Sequence, residues 1–506
     1  MNSDPQRRLR NEHQPSLDSI AWWQARPWQT NLALLFLGAL LFLLSRHLVV
    51  EYDDYIIGFS GTSGWSVWCY VLASFLVLTQ PTDRVTLPLI LGVAVLCRLP
   101  PLFADAYLSS DVYRYVWDGI VQHSGINPYR YVPADPALAA LRGAAEGNIF
   151  PAINRATYAH TIYPPFAQLF FWFVAFVSPT LAMMKTALVL CEGVTVWALL
   201  WLLRAMGRRR EQILLYAWAP ILIWEIAGSG HLDSLAIALI GLALVARYQR
   251  RPIATGVFLA LAVLTKLYPL VLFPALYMRH PVNRRSGETE AGAEWTMPAT
   301  MAALIVAGYA AYSSVGRLVF GFLSGYVEEE GMATGARYFL LDFAHHLPGL
   351  HHLPTVVFLA FAAITFAGIS WWAWRTASPV PGQSFSRERA PITEQLRPHQ
   401  AAAFLPPAFA LAAALMLLFS PHYAWYVIWL VPFFTVLPVL PGLGYVIGFF
   451  YLYTTALAAP GPKMFLANEI LYATLVVTGC LQVAGWYVPA LRLAFWTSRE
   501  PEAVRS

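Results

Sequence analysis

The sequence predicts an all-α, polytopic membrane protein of about 12–14 transmembrane helices, on the evidence of composition, run length and charge placement. Of 506 residues, 58% are hydrophobic and 12% are charged, against about 25% charged in a soluble domain. Mean hydropathy is +0.53. Apolar runs long enough to cross a hydrocarbon layer of about 30 Å recur along the whole chain. The connectors between them carry arginine in clusters, which marks loops that stay in the cytoplasm. The formal charge of +5 is small and scattered, so no nucleic-acid partner is expected.

Residues 1–29 are polar and Arg-bearing, and no small-residue cleavage site follows the first apolar run. A retained cytoplasmic tail and a first anchor helix are expected. Spans are then expected near 30–50, 64–80, 86–103, 181–203, 211–228, 231–247, 298–314, 353–375, 401–420, 425–440, 442–459 and 467–490. Two further runs are weaker: 161–178 contains Tyr163-Pro164-Pro165, and 253–278 is broken by Lys266-Leu267-Tyr268-Pro269. Placing the Arg clusters at 7–10, 204–210, 247–251, 279–285, 387–397 and 492–505 inside puts loops 104–160, 229–231, 315–350, 421–424 and 460–466 outside. On that map 253–278 is a hairpin of two short helices with its tip outward, and 161–178 dips into the outer leaflet without crossing. The Pro/Ser-rich stretch 376–400 reads as a linker. The organisation expected is a tail (1–29), an N-terminal transmembrane module (30–280) with outer loop 104–160, a cytoplasmic linker (281–297), a C-terminal transmembrane module (298–492) and a second tail (493–506).

The polar island Ser109 to Gly119 is the most informative stretch. At 100° per residue Asp111, Arg114, Tyr115, Asp118 and Gln122 share one face, and Val112, Tyr113, Val116, Trp117 and Ile120 share the other. Such a helix can lie on a membrane, aromatic side down and carboxylates to water. Other polar groups expected on the same side are Asn127-Pro128-Tyr129, Tyr163-Pro164-Pro165, Gly230-His231-Leu232-Asp233, Lys266-Leu267-Tyr268-Pro269 and Pro421-His422-Tyr423-Ala424-Trp425-Tyr426. An acid beside a cation cluster suits transfer chemistry with an anionic leaving group.

Each has a plainer reading: Asp111, His231 and Asp233 as helix-end residues, Asp118 as partner of Arg114, the proline motifs as turns. Lys266 is one of three lysines among 33 basic residues and sits in an apolar stretch, where it could simply snorkel. The aromatics around Trp425 could form an interfacial belt. Cys69, Cys97, Cys191 and Cys480 show no CxxC spacing and read as buried apolar residues. There is no GxxxxGK[ST], HExxH, GxSxG or DxD; Asp53-Asp54 is adjacent rather than spaced, and Asp54 stands as a rival to Asp111.

Taken together, and over roughly residues 86–430, these motifs resemble the GT-C membrane glycosyltransferases, and among them the bacterial polyprenyl-phosphate-mannose-dependent α-mannosyltransferases. The resemblance implies a multi-pass protein of the bacterial plasma (inner) membrane, with its active site on the extracytoplasmic face. It implies a polyprenyl-phosphate sugar donor, most simply mannose, a lipid or glycan acceptor, and membrane lipids as surroundings. No cofactor and no metal ligand are expected. Asp111 matches the catalytic base of that family. Lys266, Arg114 and His231 are expected at the donor phosphate, and Asp118, Asn127, Tyr129, Tyr163, Asp233, Tyr268, His422, Tyr423 and Trp425 to shape the substrate site. On a helix Asp111 and Asp118 lie two turns apart, about 10–11 Å, whereas a retaining carboxylate pair needs about 5–5.5 Å. A single-base, inverting displacement follows. A lipid-linked-sugar flippase is the rival reading, expected to hold charges deep in several spans. A surface-polysaccharide polymerase or ligase, using charges of loop 315–350, is a third.

Overall fold

In lipid a backbone must satisfy its own hydrogen bonds, so each long apolar run becomes a helix. The computed structural model describes residues 25–50, 57–144, 149–283, 289–376, 401–419, 423–455 and 462–487. The longer α-helices, in chain order, are α1 (Pro27–Val50), α2 (Ile57–Thr79), α3 (Thr86–Leu102), α4 (Asp111–His123), α5 (Pro165–Val177), α6 (Leu181–Ala205), α7 (Asp233–Tyr248), α8 (Pro252–Val263), α9 (Thr296–Ala311), α10 (Thr355–Thr376), α11 (Leu405–Phe419), α12 (Leu440–Thr455) and α13 (Pro462–Tyr487). Five of them are long and apolar enough to cross a membrane. A sixth span arises if α9 and the segment Ser313–Glu329, bent by 111°, count as one. Shorter apolar helices of 10–17 residues accompany them. The outer faces of α1 and α10 leave Leu32, Phe36, Val356, Ile364 and Trp371 exposed, which only lipid makes tolerable. The chain is an all-α, multi-pass membrane protein.

Several expected runs take a different form. Residues 211–228 are not one span but a chain of short turns: a 3₁₀ turn at Arg210–Ile213, helical turns at Leu214–Ala217 and Pro220–Leu222, and a π-helix at Ile223–Gly228. Pro220 has no amide hydrogen to continue the ladder. Such broken backbone survives at membrane depth only inside protein, and every residue from Gln212 to Gly241 is buried. Side chains take the freed carbonyls: the Tyr70 hydroxyl donates to Leu215 O at 2.8 Å and Arg98 Nη1 to Ala217 O at 2.9 Å. Arg98 also holds Glu192 of α6 through Nε and Nη2, at 2.9 and 2.8 Å.

Segment 253–278 breaks where expected, with α8 ending at Val263 and a 3₁₀ turn running from Tyr268 to Leu272. Helix α5, 13 residues long, falls short of the ~20 needed to span. The stretch 281–297, expected as a plain linker, carries a β-hairpin in which Arg279–Asn283 (β1) pairs antiparallel with Thr289–Ala293 (β2). Loop 315–350 is largely helical, with a 3₁₀ segment at Ser313–Phe320 and helices at Leu323–Glu329 and Phe339–His345. All four cysteines are free, but only Cys69 and Cys97 are buried, and Cys480 is exposed, contrary to the sequence reading.

Helix α4 is not a float on the bilayer surface. It packs on α5 and α6, and Gly119 makes that approach possible. A Cβ there would lie 2.6 Å from both the Phe171 carbonyl oxygen and the Ala175 side chain, so any other residue drives the helices apart.

Candidate active site

The polar face of α4 divides into two parts with different surroundings. Its middle is buried, which corrects the expectation that both carboxylates face water. Arg114 and Asp118, at i and i+4, pair at 2.8 Å with Asp118 only 1% exposed. Arg114 Nη1 donates to Ala159 O, and the second Asp118 oxygen accepts from Thr161 Oγ1 at 2.5 Å and Gln168 Nε2 at 2.9 Å. The guanidinium expected at a donor phosphate is thus engaged by Asp118 and a carbonyl. Gln122 continues the network to Gln168 and accepts from the Tyr312 hydroxyl at 2.9 Å.

Asn127 and Tyr129 belong to the same staple. Asn127 Oδ1 accepts from the Tyr129 amide, closing the proline turn, and Nδ2 donates to Tyr312 O and Ser314 Oγ after α9. The Tyr129 hydroxyl donates to Tyr163 O at 2.6 Å. Burial holds the Tyr129 phenol well above its ordinary range, so it stays a neutral donor. These residues fix loop to helix, and Asn127 also lines a cavity with Gln122, Pro165, Trp172 and Tyr312.

The N-terminus of α4 is where chemistry gathers. Asp111 is half-buried, opens the helix and accepts from Asn154 Nδ2 at 3.0 Å. An acid suits the positive end of the helix dipole. Burial and, next, Asp111 hold Tyr163 well above the ordinary phenol range. The charge of Asp111 also acts on His231, so the two lie within electrostatic reach. Gly230 permits this: its φ of +71° turns the chain into α7, and a Cβ would meet Val112 at 2.8 Å and Lys185 at 3.0 Å.

His231 is fully buried between carboxylates, Nε2 at 3.2 Å from Glu225 Oε2 and Nδ1 at 4.0 Å from Asp233 Oδ2. Its ring stacks on Trp425 at 4.5 Å, and Trp425 stacks on Tyr423 at 4.3 Å. Lys266 Nζ donates to Asp233 Oδ2 at 2.6 Å with its side chain 18% exposed, and Trp429 Nε1 donates to the other Asp233 oxygen. Tyr268 stacks on Trp429 at 3.4 Å. The structure therefore gathers Asp111, Tyr163, His231, Asp233, Lys266, Tyr268, Tyr423 and Trp425, drawn from five segments distant in sequence. Arg114, Asp118, Asn127 and Tyr129 form the adjoining buried network, joined to this group where the Tyr129 hydroxyl meets Tyr163 O. His422 and the pair Asp53-Asp54 lie outside the described residues.

Glu225 was missed by sequence reasoning, though an acid in the apolar run 211–228 was a visible signal. It is fully buried and accepts from the Tyr453 hydroxyl as well as facing His231. Asn154 and Trp429 left no such mark. Buried charge is also not confined to one face. Arg98–Glu192 lies between α3 and α6, and Lys185 donates to Pro101 O and Ala104 O at 2.7 Å each.

An acid at a helix N-terminus, a half-buried lysine and stacked aromatics make a site able to take a proton, neutralise an anion and bind sugar faces. No curated protein matches the chain. Residues 19–280, from the first tail to the start of the β-hairpin and including Asp111, His231, Asp233 and Lys266, match the alpha-(1->6)-mannopyranosyltransferase N-terminal domain. The match covers more than half of the 506 residues, and the chain belongs to this mannosyltransferase family.

Proposed function

We propose that this mannosyltransferase is of the GT-C type and moves mannose from a polyprenyl phosphate to an extracytoplasmic acceptor. The observation that carries this reading is the packing of the first turn of α4 on the start of α7, where a Cβ on Gly230 would meet Val112, the neighbour of Asp111, at 2.8 Å. It brings one half-buried carboxylate near the Lys266–Asp233 ion pair at the ends of α4 and α7. In the step proposed, Asp111 takes the proton of the acceptor hydroxyl as its oxygen attacks the anomeric carbon. The bond from that carbon to the phosphate oxygen breaks, and the polyprenyl phosphate leaves with the electron pair. Lys266 and His231 neutralise it. A single base gives inversion, so an α product of the kind in the family's description requires a β-linked donor. Arg114 is omitted from the phosphate ligands because it is buried with Asp118, whereas Lys266, also paired, keeps 18% of its side chain exposed.

The flippase reading gains the buried charges Arg98, Glu192 and Lys185, but each is bound to a partner or to carbonyls. Sidedness has a direct test. With cysteines introduced singly into a cysteine-free background, Arg130→Cys should react with an impermeant reagent from outside and Arg208→Cys should not. The reverse pattern overturns the placement of the site.

Lys266 tests the donor. Lys266→Ala should raise the donor KM at least about tenfold, and Lys266→Arg should restore part of the loss, since charge persists without the compact ammonium. Removing Lys266 also strands Asp233, so Lys266→Ala/Asp233→Asn separates the two effects. The double variant should recover thermal stability but not donor affinity. Recovery of both means that the lysine serves only to neutralise Asp233.

A further inference from the structure

Beside Asp111 lies a surface that the proposed mechanism does not use. Asn154, which holds Asp111, is followed by Arg155 in the left-handed region at φ +53°. A non-glycine residue there is strained and persists only where its surroundings impose it. What imposes it is on the far side of the chain. Arg155 Nε pairs with Glu329 Oε2 at 2.7 Å, and the Tyr158 hydroxyl donates to Glu329 Oε1 at 3.0 Å. Tyr158 is 54% exposed and meets Phe322 edge to face at 5.6 Å. Arg155 also acts electrostatically on Tyr423, which leads through Trp425 to His231.

The chemistry of this surface selects its ligand. The guanidinium and carboxylate cancel in charge, and each side chain is 32% exposed, so the pair offers donors and acceptors side by side without attracting an ion. Arg155 keeps N–H groups beyond those given to Glu329 and Tyr423, and each Glu329 oxygen keeps a lone pair. Vicinal hydroxyls of a sugar match that pattern, and the exposed ring of Tyr158 supplies an apolar face for its C–H groups. A purely lipid acceptor has no use for the pair, and a phosphate finds no net charge.

We propose that Asn154, Arg155, Tyr158, Phe322 and Glu329 form the acceptor subsite, and that it binds a neutral saccharide within reach of Asp111. This rests on the reading of Asp111 as the base. The test uses the purified full chain, a polyprenyl-phosphate mannose and mannotriose as acceptor. Tyr158→Ala and Glu329→Gln should each raise the acceptor KM by about 10–100-fold with donor KM and donor hydrolysis by water unchanged. Arg155→Gly, which relieves the backbone strain, should keep or raise the melting temperature while losing acceptor affinity. Unchanged acceptor KM in these variants, with donor hydrolysis intact, overturns the subsite and leaves the glycosyl-transfer reading standing. Saturation-transfer NMR of mannotriose on the donor-free protein gives a readout that needs no turnover. Binding in the native chain that is lost in Tyr158→Ala supports the subsite. Absence of binding, or binding that survives Tyr158→Ala, overturns it even if no donor is consumed.

Discussion

Asp111→Asn should lower kcat by about 10²–10⁴-fold, about 3–5 kcal/mol of barrier, because the amide keeps size and polarity but cannot take a proton. The loss should appear in turnover and leave donor binding intact. Asp111 is half-buried and accepts one side-chain hydrogen bond, from Asn154, so the fold should hardly register the change. Asp54→Asn should be nearly silent. A dead Asp54→Asn beside a working Asp111→Asn would move the site to the first loop. Loss of transfer in neither would remove the mechanism and favour a flippase.

The opposite balance is expected three residues along the same helix. Arg114→Ala leaves the Asp118 carboxylate, 1% exposed, with Thr161 and Gln168 but no counter-charge. Breaking a buried pair from one side costs about 3–5 kcal/mol, and thermal unfolding in lipid nanodiscs should show it. Asp118→Asn, which keeps part of the network, should cost less. If Arg114→Ala unfolds like the native chain yet fails to bind donor, Arg114 faces the phosphate after all.

Hydropathy found the helices because length and apolarity are one-dimensional properties. Helices α1, α3, α6 and α7 lie within a few residues of the expected runs. It misread 211–228, where an apolar run is equally compatible with a span and with a buried chain of turns. Only the hydroxyl of Tyr70 and the guanidinium of Arg98, distant in sequence, decide between them. The site was legible in parts for the same reason. The 3.6-residue period paired Arg114 with Asp118 correctly. It could not show that Thr161 and Gln168 return to cover the pair, since their closeness is tertiary. Lys266 and Asp233 were each visible as oddities, whereas their mutual bond was not. Glu225 carried a signal, an acid among apolar neighbours, that motif matching passed over because no motif contains it.

The contact of Gly119 with the backbone of α5 has a mechanical consequence. A bilayer surface is a soft boundary, and an amphipathic helix resting on it rises and sinks with the lipids. Helix α4 is instead clamped to a neighbour at van der Waals range, and its altitude is set by protein rather than by headgroups. Asp111, at its tip, keeps one depth while the membrane around it thickens or thins. Lipid composition should therefore tune turnover through access of the substrates, with the height of Asp111 held constant.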